Sequence, residues 1–268
     1  MPYPTYIHQL MKKLEGKVVL ITGASKGIGL GCALRVLAHG GKVALIARNP
    51  EVARPAVEAA GGAWGSAVLP LGCDVCNASE FEAAVRDTVA HFGGLDGVIN
   101  NAGWHPPAMD IEQTSLADFE ALLRLNLTST FLGCKLTVPH LKRTRGSIIN
   151  MSSEVALIGQ AAAPSYVTTK AGQIGLTRAL ALDLAPAGVR VNAVCPAGVM
   201  TPLMEEWAAT QYDPQAALKM VDSWHPLGRM ATSEEMGEVC CFLLSSEASF
   251  ITGQVICPDG GAALGYRR

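Results

Sequence analysis

Short apolar, β-branched runs alternate with longer stretches of helical period along most of the chain. Residues 17–22, 42–47, 67–71, 95–100, 146–152 and 189–194 read as buried strands. Helical patterns fill 30–39, 50–60 and 116–141, the last interrupted near Asn126, and a further helix carries Tyr166 to about residue 185. Ser79, with Glu82 three positions on, reads as the capping box of another helix. Strands alternating with helices in this way predict an α/β fold. The expected form is a single doubly wound parallel sheet of about seven strands with helices on both faces. Ligands in such sheets sit at the carboxyl ends of strands, so Gly23, Asn100, Ser153 and Pro196 are expected to converge on one crevice. There is no linker, repeat or low-complexity stretch. Residues 1–15 read as an N-terminal extension and 16–268 as one domain.

The first strand runs directly into Gly23-Ala-Ser-Lys-Gly27-Ile-Gly29, and a helical pattern follows. Strand, glycine-rich turn and helix together are the context that marks a dinucleotide site. Gly23 allows the tight turn, Gly27 lets backbone approach a pyrophosphate, and Gly29 lets helix and strand pack closely. Free amides at the helix N-terminus then bind the anion. An ordinary βα turn needs fewer glycines than this.

Tyr166 and Lys170 are four apart on a predicted helix and face the same way. A free tyrosine, with a pKa of about 10, is a poor base at neutral pH. A neighbouring ammonium favours the phenolate and is expected to pull that value down. Ser153 can then hold a substrate oxygen while Tyr166 exchanges its proton, with Asn126 beside them. Alone the tyrosine–lysine spacing says little; the upstream glycine turn gives it meaning.

Composition narrows the partners. Apolar residues make 49% of the chain and charged ones 16%, with a formal net charge of −2, which excludes a disordered chain and offers no basic patch for nucleic acid or an anionic membrane. No apolar run reaches the roughly 20 residues of a membrane helix. The opening MPYPTYIHQLMKKLEG lacks a signal peptide's apolar core, and the expected setting is the reducing cytoplasm. Among eight scattered cysteines, Cys73 and Cys76 form a C-x-x-C pair without a second pair at metal spacing. That pair reads as structural, with zinc or redox the lesser alternative, and no metal is expected.

The chain resembles the short-chain dehydrogenase/reductase family over about residues 14–266. The motifs are the turn from Thr22 to Gly29, Asp74, Asn100-Asn-Ala-Gly103, Asn126, Ser153, Tyr166-x-x-x-Lys170 and Pro196-x-x-x-x-Thr201. The resemblance implies an oxidoreductase with a catalytic tetrad of Asn126, Ser153, Tyr166 and Lys170 and a nicotinamide cofactor. Asn126 is implied to hold a water linking Lys170 to solvent. Implied cofactor contacts are Gly23, Ser25, Lys26, Gly27, Ile28, Gly29, Arg48, Asp74, Val75, Asn101, Ala102, Gly103, Tyr166, Lys170, Pro196, Val199 and Thr201. Ala197, where many members carry glycine, is a departure that alters the loop over the nicotinamide. A protein that keeps this fold as a nucleotide sensor or scaffold is the alternative, and the complete tetrad argues against it.

Further motifs resemble a branch holding type 14 17β-hydroxysteroid dehydrogenases and bacterial L-fucose dehydrogenases: Trp104-His-Pro-Pro107, Ile158-Gly-Gln160, Val199-Met-Thr-Pro-Leu203, Trp207, Asp213-Pro214 and the glycine-rich end at 260–266. The branch implies substrate contacts from His105, Ser153, Gln160, Tyr166, Met204 and Trp207. His105 also reads simply as a loop histidine before two prolines, and Trp207 as plain packing. NAD sites usually carry an acid at the end of the second strand to bind the ribose hydroxyls; here that position is Ala47, Arg48 follows, and Lys26 stands in the glycine turn. An arginine fork and an ammonium suit a 2′-phosphate, so NADP is expected over NAD. The substrate expectation is an aldose such as L-fucose, with a steroid alcohol as the alternative, and the assembly a homotetramer.

Overall fold

Each apolar run above can satisfy its backbone groups only by pairing with neighbours, and together the runs make one sheet. A computed structural model of the chain describes residues 12–264. In chain order the elements are β1 (Val18–Thr22), α1 (Gly27–Ala38), β2 (Lys42–Ala47), α2 (Arg54–Ala59), β3 (Val68–Gly72), α3 (Ala78–Phe92), β4 (Gly97–Asn100), α4 (Leu116–Leu123), α5 (Ser129–Thr144) and β5 (Ser147–Met151). Then follow α6 (Val155–Ile158), α7 (Pro164–Leu184), β6 (Arg190–Val194), α8 (Pro202–Ala209), α9 (Pro214–Ser223), α10 (Ser233–Leu244) and β7 (Val255–Ile256). The strand order is β3-β2-β1-β4-β5-β6-β7, and every pairing is parallel. The chain winds outward from β1 to one edge, then returns to β4 on its other side. That reversal opens a crevice at the carboxyl ends of β1 and β4.

The strands read as nearly continuous apolar runs because both faces are covered. Val19, Ile21, Val43, Leu45, Ile99, Ile149 and Val194 pack with Cys32, Ala33 and Val36 of α1 and Cys240, Cys241 and Leu243 of α10. The alternate positions Val18, Leu20, Ala44, Ile46, Val98, Ile148 and Val191 pack with Phe81 of α3, Cys134 and Leu141 of α5, and Ala181 of α7. Gly31 lets α1 meet α10, since a Cβ there would lie 2.4 Å from the Ser233 backbone.

The structure departs from the sequence expectations at several boundaries. Helix α1 begins at Gly27 rather than 30, so Gly27 and Gly29 stand in its first turn. A 3₁₀ turn, Pro50–Ala53, precedes α2. Asn77, and not Ser79, caps α3: its Oδ1 accepts from the Ser79 amide at 3.1 Å and the Glu80 amide at 3.4 Å. Glu80 rather than Glu82 returns the contact, accepting from Asn77 Nδ2 at 2.7 Å, because the cap lies two residues earlier than expected. Leu14 falls in the segment read as an extension, yet it is 1% exposed and its amide donates to His39 O at 3.0 Å. The rest of that extension, up to residue 11, and Tyr266 lie outside the described residues. The seventh strand, which the sequence did not locate, joins β6 with Val194 beside Ile256.

Candidate active site

Gly23 (φ 64) and Gly27 (φ 56) take left-handed backbone, a conformation that costs glycine little. A Cβ on Gly23 would lie 2.9 Å from Ala102 Cα, and one on Gly29 2.4 Å from the Gly23 carbonyl oxygen. The turn therefore packs directly on segment 101–103. Thr22 Oγ1 accepts from the amides of Asn101 and Ala102, both at 3.0 Å. Asn101 Nδ2 answers by donating to Thr22 O at 2.9 Å and Gly23 O at 3.3 Å. Lys26 is the N-cap of α1; no side chain caps the helix and its first turn holds no acid. That leaves an open, positive helix end of the kind that binds phosphate, flanked by half-buried Ser25 and Ile28.

Thr201 lies across this turn, its methyl 3.5 Å from where a Gly27 Cβ would sit. Thr201 Oγ1 caps α8 by accepting from the Met204 amide at 3.3 Å. Val199 forms an isolated bridge to Ala231, and the carbonyl of buried Pro196 accepts from the Glu154 amide at 3.0 Å. On the other flank, Ala47 is buried and Arg48 exposed. Asp74 is exposed, its carboxylate taken by the Cys76 amide at 2.9 Å, and Val75 beside it is buried. Lys26 is engaged as well: its ammonium stands 3.2 Å from Glu206 of α8 in an exposed ion pair. The open helix end at the glycine turn fits the pyrophosphate of a dinucleotide.

Helix α7 carries Tyr166 and Lys170, one turn apart. The Lys170 ammonium is 5.7 Å from the centre of the Tyr166 ring and donates to Met151 O, at the end of β5, at 2.8 Å. Ser153, two residues beyond β5, is 9% exposed and lies beside the Tyr166 side chain. Burial pushes the Tyr166 hydroxyl up to about 12, Ser153 opposing it. Burial also pulls Lys170 down to about 8. The expectation that Lys170 depresses the tyrosine is thus not met: burial raises Tyr166, and the opposing influence comes from Ser153 rather than from the ammonium.

Asn126 is fully buried in a single turn of π-helix, Arg124–Thr128, which is the interruption seen in the sequence. Its Oδ1 accepts from the Trp104 amide at 2.9 Å, and its Nδ2 donates to Trp104 O at 3.0 Å and Thr169 Oγ1 at 3.2 Å. Gly103 lies between Asn126 and Lys170: a Cβ on it would be 3.1 Å from Asn126 Oδ1 and 3.6 Å from Lys170 Nζ. His105 lies over Tyr166, ring centres 4.2 Å apart. Its Nε2 is 3.0 Å from Gln160 Oε1 and its Nδ1 2.7 Å from Pro106 O. Met204 is half-buried and Trp207 is 36% exposed on α8, on the Thr201 side of the crevice.

Asn100 does not join the crevice. It points into the core beneath, donating to Asn150 Oδ1 at 2.9 Å. Three neighbours of the site escaped the sequence reading. Gln173 is fully buried and donates to Asn126 O and Thr130 Oγ1, both at 2.8 Å; a polar residue three past Lys170, on the buried face of a helix, was the available signal. Glu154 follows Ser153, and burial, then the Asp259 charge, pushes its carboxyl up to about 7. His225 went unread because the partner that ties it to the site, the Gly198 amide, lies 27 positions away in sequence.

Comparison with known proteins places the whole chain among known relatives. A family model described as enoyl-(acyl carrier protein) reductase matches residues 23–263. L-fucose dehydrogenase of Oryctolagus cuniculus is 43% identical over 253 residues, covering 94% of this chain and 87% of the relative. That of Bos taurus is 42% identical over 260 residues, covering 96% and 93%. Among solved structures, aldohexose dehydrogenase of Thermoplasma acidophilum superposes with a TM-score of 0.85 at 33% identity, covering 96% of this chain and 98% of that one. Levodione reductase reaches 0.89 at 31% identity, covering 94% and 100%. With sequence likeness running almost end to end and the same architecture beneath it, this chain belongs to the short-chain dehydrogenase/reductase family and is an NAD(P)-dependent oxidoreductase.

Proposed function

We propose that the protein oxidises L-fucose or a similar aldose at its anomeric carbon, with NADP as cofactor. The observation that carries this reading is the 43% identity to an L-fucose dehydrogenase across 94% of the chain. The site agrees with it. The His105–Gln160 pair sets polar groups beside Tyr166, and a site built to bind hydroxyls rejects analogues that lack them.

The residues in position would hold the dinucleotide as follows. The amides of Gly27, Ile28 and Gly29 would hold the pyrophosphate, and Asp74 and Val75 would hold the adenine. Asn101, Ala102 and Gly103 would contact the dinucleotide from the ends of β1 and β4, and Pro196, Val199 and Thr201 would hold the nicotinamide. Ala47 removes the acid that would repel a 2′-phosphate, while Arg48 and Lys26 supply cations. The Lys26–Glu206 pair is exposed, and such pairs are worth only about 0–1 kcal/mol, so an anion competes for Lys26 readily. A nicotinamide held there would supply the acceptor for a hydride from the substrate carbon. Ser153 would hold the substrate hydroxyl, and Tyr166, once its own proton has been given up to Lys170 or to solvent, would take the substrate's proton as the carbonyl forms. Lys170, buried beside Tyr166, would support the tyrosine and hold the nicotinamide ribose. Asn126 locks Trp104, and with it the loop bearing His105, over that centre. Met204 and Trp207 close the pocket from α8. Among the described residues no helix is long and apolar enough to cross a membrane.

Initial rates with L-fucose, other aldoses and estradiol, each under NADP and NAD, test the reading. L-fucose with NADP is expected to be fastest. A kcat/KM for estradiol above that of every sugar overturns the substrate assignment. Faster turnover with NAD overturns the role given to Arg48 and leaves the tetrad standing.

A further inference from the structure

A buried histidine outside the tetrad touches the loop that carries Pro196, Val199 and Thr201. His225 follows α9 and is 2% exposed. Its Nε2 receives the Gly198 amide at 3.0 Å, and its Nδ1 lies 2.9 Å from Val221 O. A neutral imidazole has one donor and one acceptor nitrogen. The amide can only donate and the carbonyl can only accept, so the pair of contacts selects the tautomer protonated at Nδ1. Gly198 makes the approach possible, for a Cβ there would lie 2.8 Å from His225 Cε1 and 3.0 Å from Val221 Cγ1. The opposite side of the loop is held too: Ala231 N donates to Gly198 O at 3.0 Å, and Met200 N to Ala231 O at 2.9 Å. The same histidine packs on the segment after β7, where a Cβ on Gly260 would lie 3.4 Å from it.

We propose that His225 is a positioning residue for the nucleotide. By accepting the Gly198 amide it sets the height of loop 196–201 above the glycine turn, and so places Pro196, Val199 and Thr201. The proposal rests on the reading of that loop as part of the nicotinamide site. A half-buried amide that loses its acceptor bears part of the cost of desolvation, and the loop would shift to recover a partner.

His225→Gln and His225→Asn separate this role from simple packing. A glutamine amide reaches the Nε2 position and can accept from Gly198; an asparagine amide reaches only the Nδ1 position. Titrations of each protein with NADPH and with NADH, followed by nucleotide fluorescence, are expected to show His225→Asn weakening Kd about tenfold. His225→Gln is expected to stay within about threefold of the unmodified protein. The loss is expected in Kd rather than in kcat at saturating nucleotide. Imidazole ¹⁵N shifts of the nucleotide-free protein are expected to show a proton on Nδ1 and none on Nε2. Equal Kd values for the two variants, or a proton on Nε2, overturn the proposal. An unmodified protein that binds neither nucleotide overturns the reading of the site itself. Should His225→Asn fail to fold, Gly198→Ala tests the same contact from the other side, with an expected tenfold rise in Kd; an unchanged Kd there overturns the proposal.

Discussion

At the scale of single residues, burial sets the protonation of the groups around Ser153. It drives Tyr166 up to about 12 and Lys170 down to about 8, so the free protein holds a proton on the tyrosine at neutral pH. Tyr166→Phe is expected to fold and still bind nucleotide while losing roughly a hundred- to ten-thousand-fold in kcat, the usual contribution of a general acid–base group. Retention of a tenth of the rate would remove Tyr166 from that role. Lys170→Met is expected to lose rate and nucleotide affinity together. Glu154 makes a pH-dependent prediction. Its carboxyl rises from an ordinary 4.5 to about 7, so the folded protein binds that proton more tightly than the unfolded chain. The stabilisation is full below about 4.5 and is lost as pH rises through about 7. Glu154→Gln is therefore expected to raise stability at pH 8 by about 1 kcal/mol, the half-open position screening the charge, and to gain nothing at pH 5. Thermal melts at both pH values check it; an equal gain at both would show that the charge is irrelevant.

At the scale of elements, small irregularities position the chemistry. The π-turn at Asn126 breaks the helical hydrogen-bond ladder, and Thr130 and Gln173 take up the Asn126 carbonyl, at 2.9 and 2.8 Å. The interruption was legible in the sequence as a polar residue inside an apolar pattern, but its partner was not, because Gln173 reaches it from another helix. Helix α10, which packs on α1 beneath the glycine turn, starts with a capping box: Thr232 Oγ1 accepts from the Glu235 amide at 3.2 Å, and Glu235 Oε2 from the Thr232 amide at 2.8 Å. Arg229 clasps the same carboxylate at 2.8 and 2.7 Å and holds it down near a pKa of about 2. Thr232→Ala removes one half of the box and is expected to cost about 1 kcal/mol, with kcat retained. An unchanged denaturation midpoint would count against the cap.

At the scale of the whole molecule, the described surface keeps apolar side chains in the open. Phe131 of α5 is 48% exposed, Leu182 of α7 79%, and Phe250, near β7, is fully exposed. Such side chains on helices and at the sheet edge suit burial against further copies, and closed symmetry is the common solution. The expected assembly is a homotetramer, paired through α5 and α7 and closed near the C-terminal segment. Sedimentation equilibrium at micromolar protein is expected to return a mass near four chains of 28.1 kDa; a mass near one chain would refute it.

By itself the sequence determined the strand–helix alternation, the glycine turn and the tyrosine–lysine helix. Each of these is written in neighbouring residues, as an apolar run, a φ that favours glycine, or a spacing of one helical turn. Only the tertiary structure decided how they meet. The order of strands around β1 and β4 comes from long-range pairing that local pattern does not encode. Asn100, adjacent to the crevice in sequence, turns into the core because the pleat alternates faces and β4 puts it opposite Asn150. The Thr22 hydroxyl on Asn101, the Gln173 amide on Asn126 and the His225 ring on Gly198 all join residues tens of positions apart. The protonation of Tyr166, Lys170 and Glu154 depends on how much water packing leaves beside them, a property of the assembled molecule and of no segment alone.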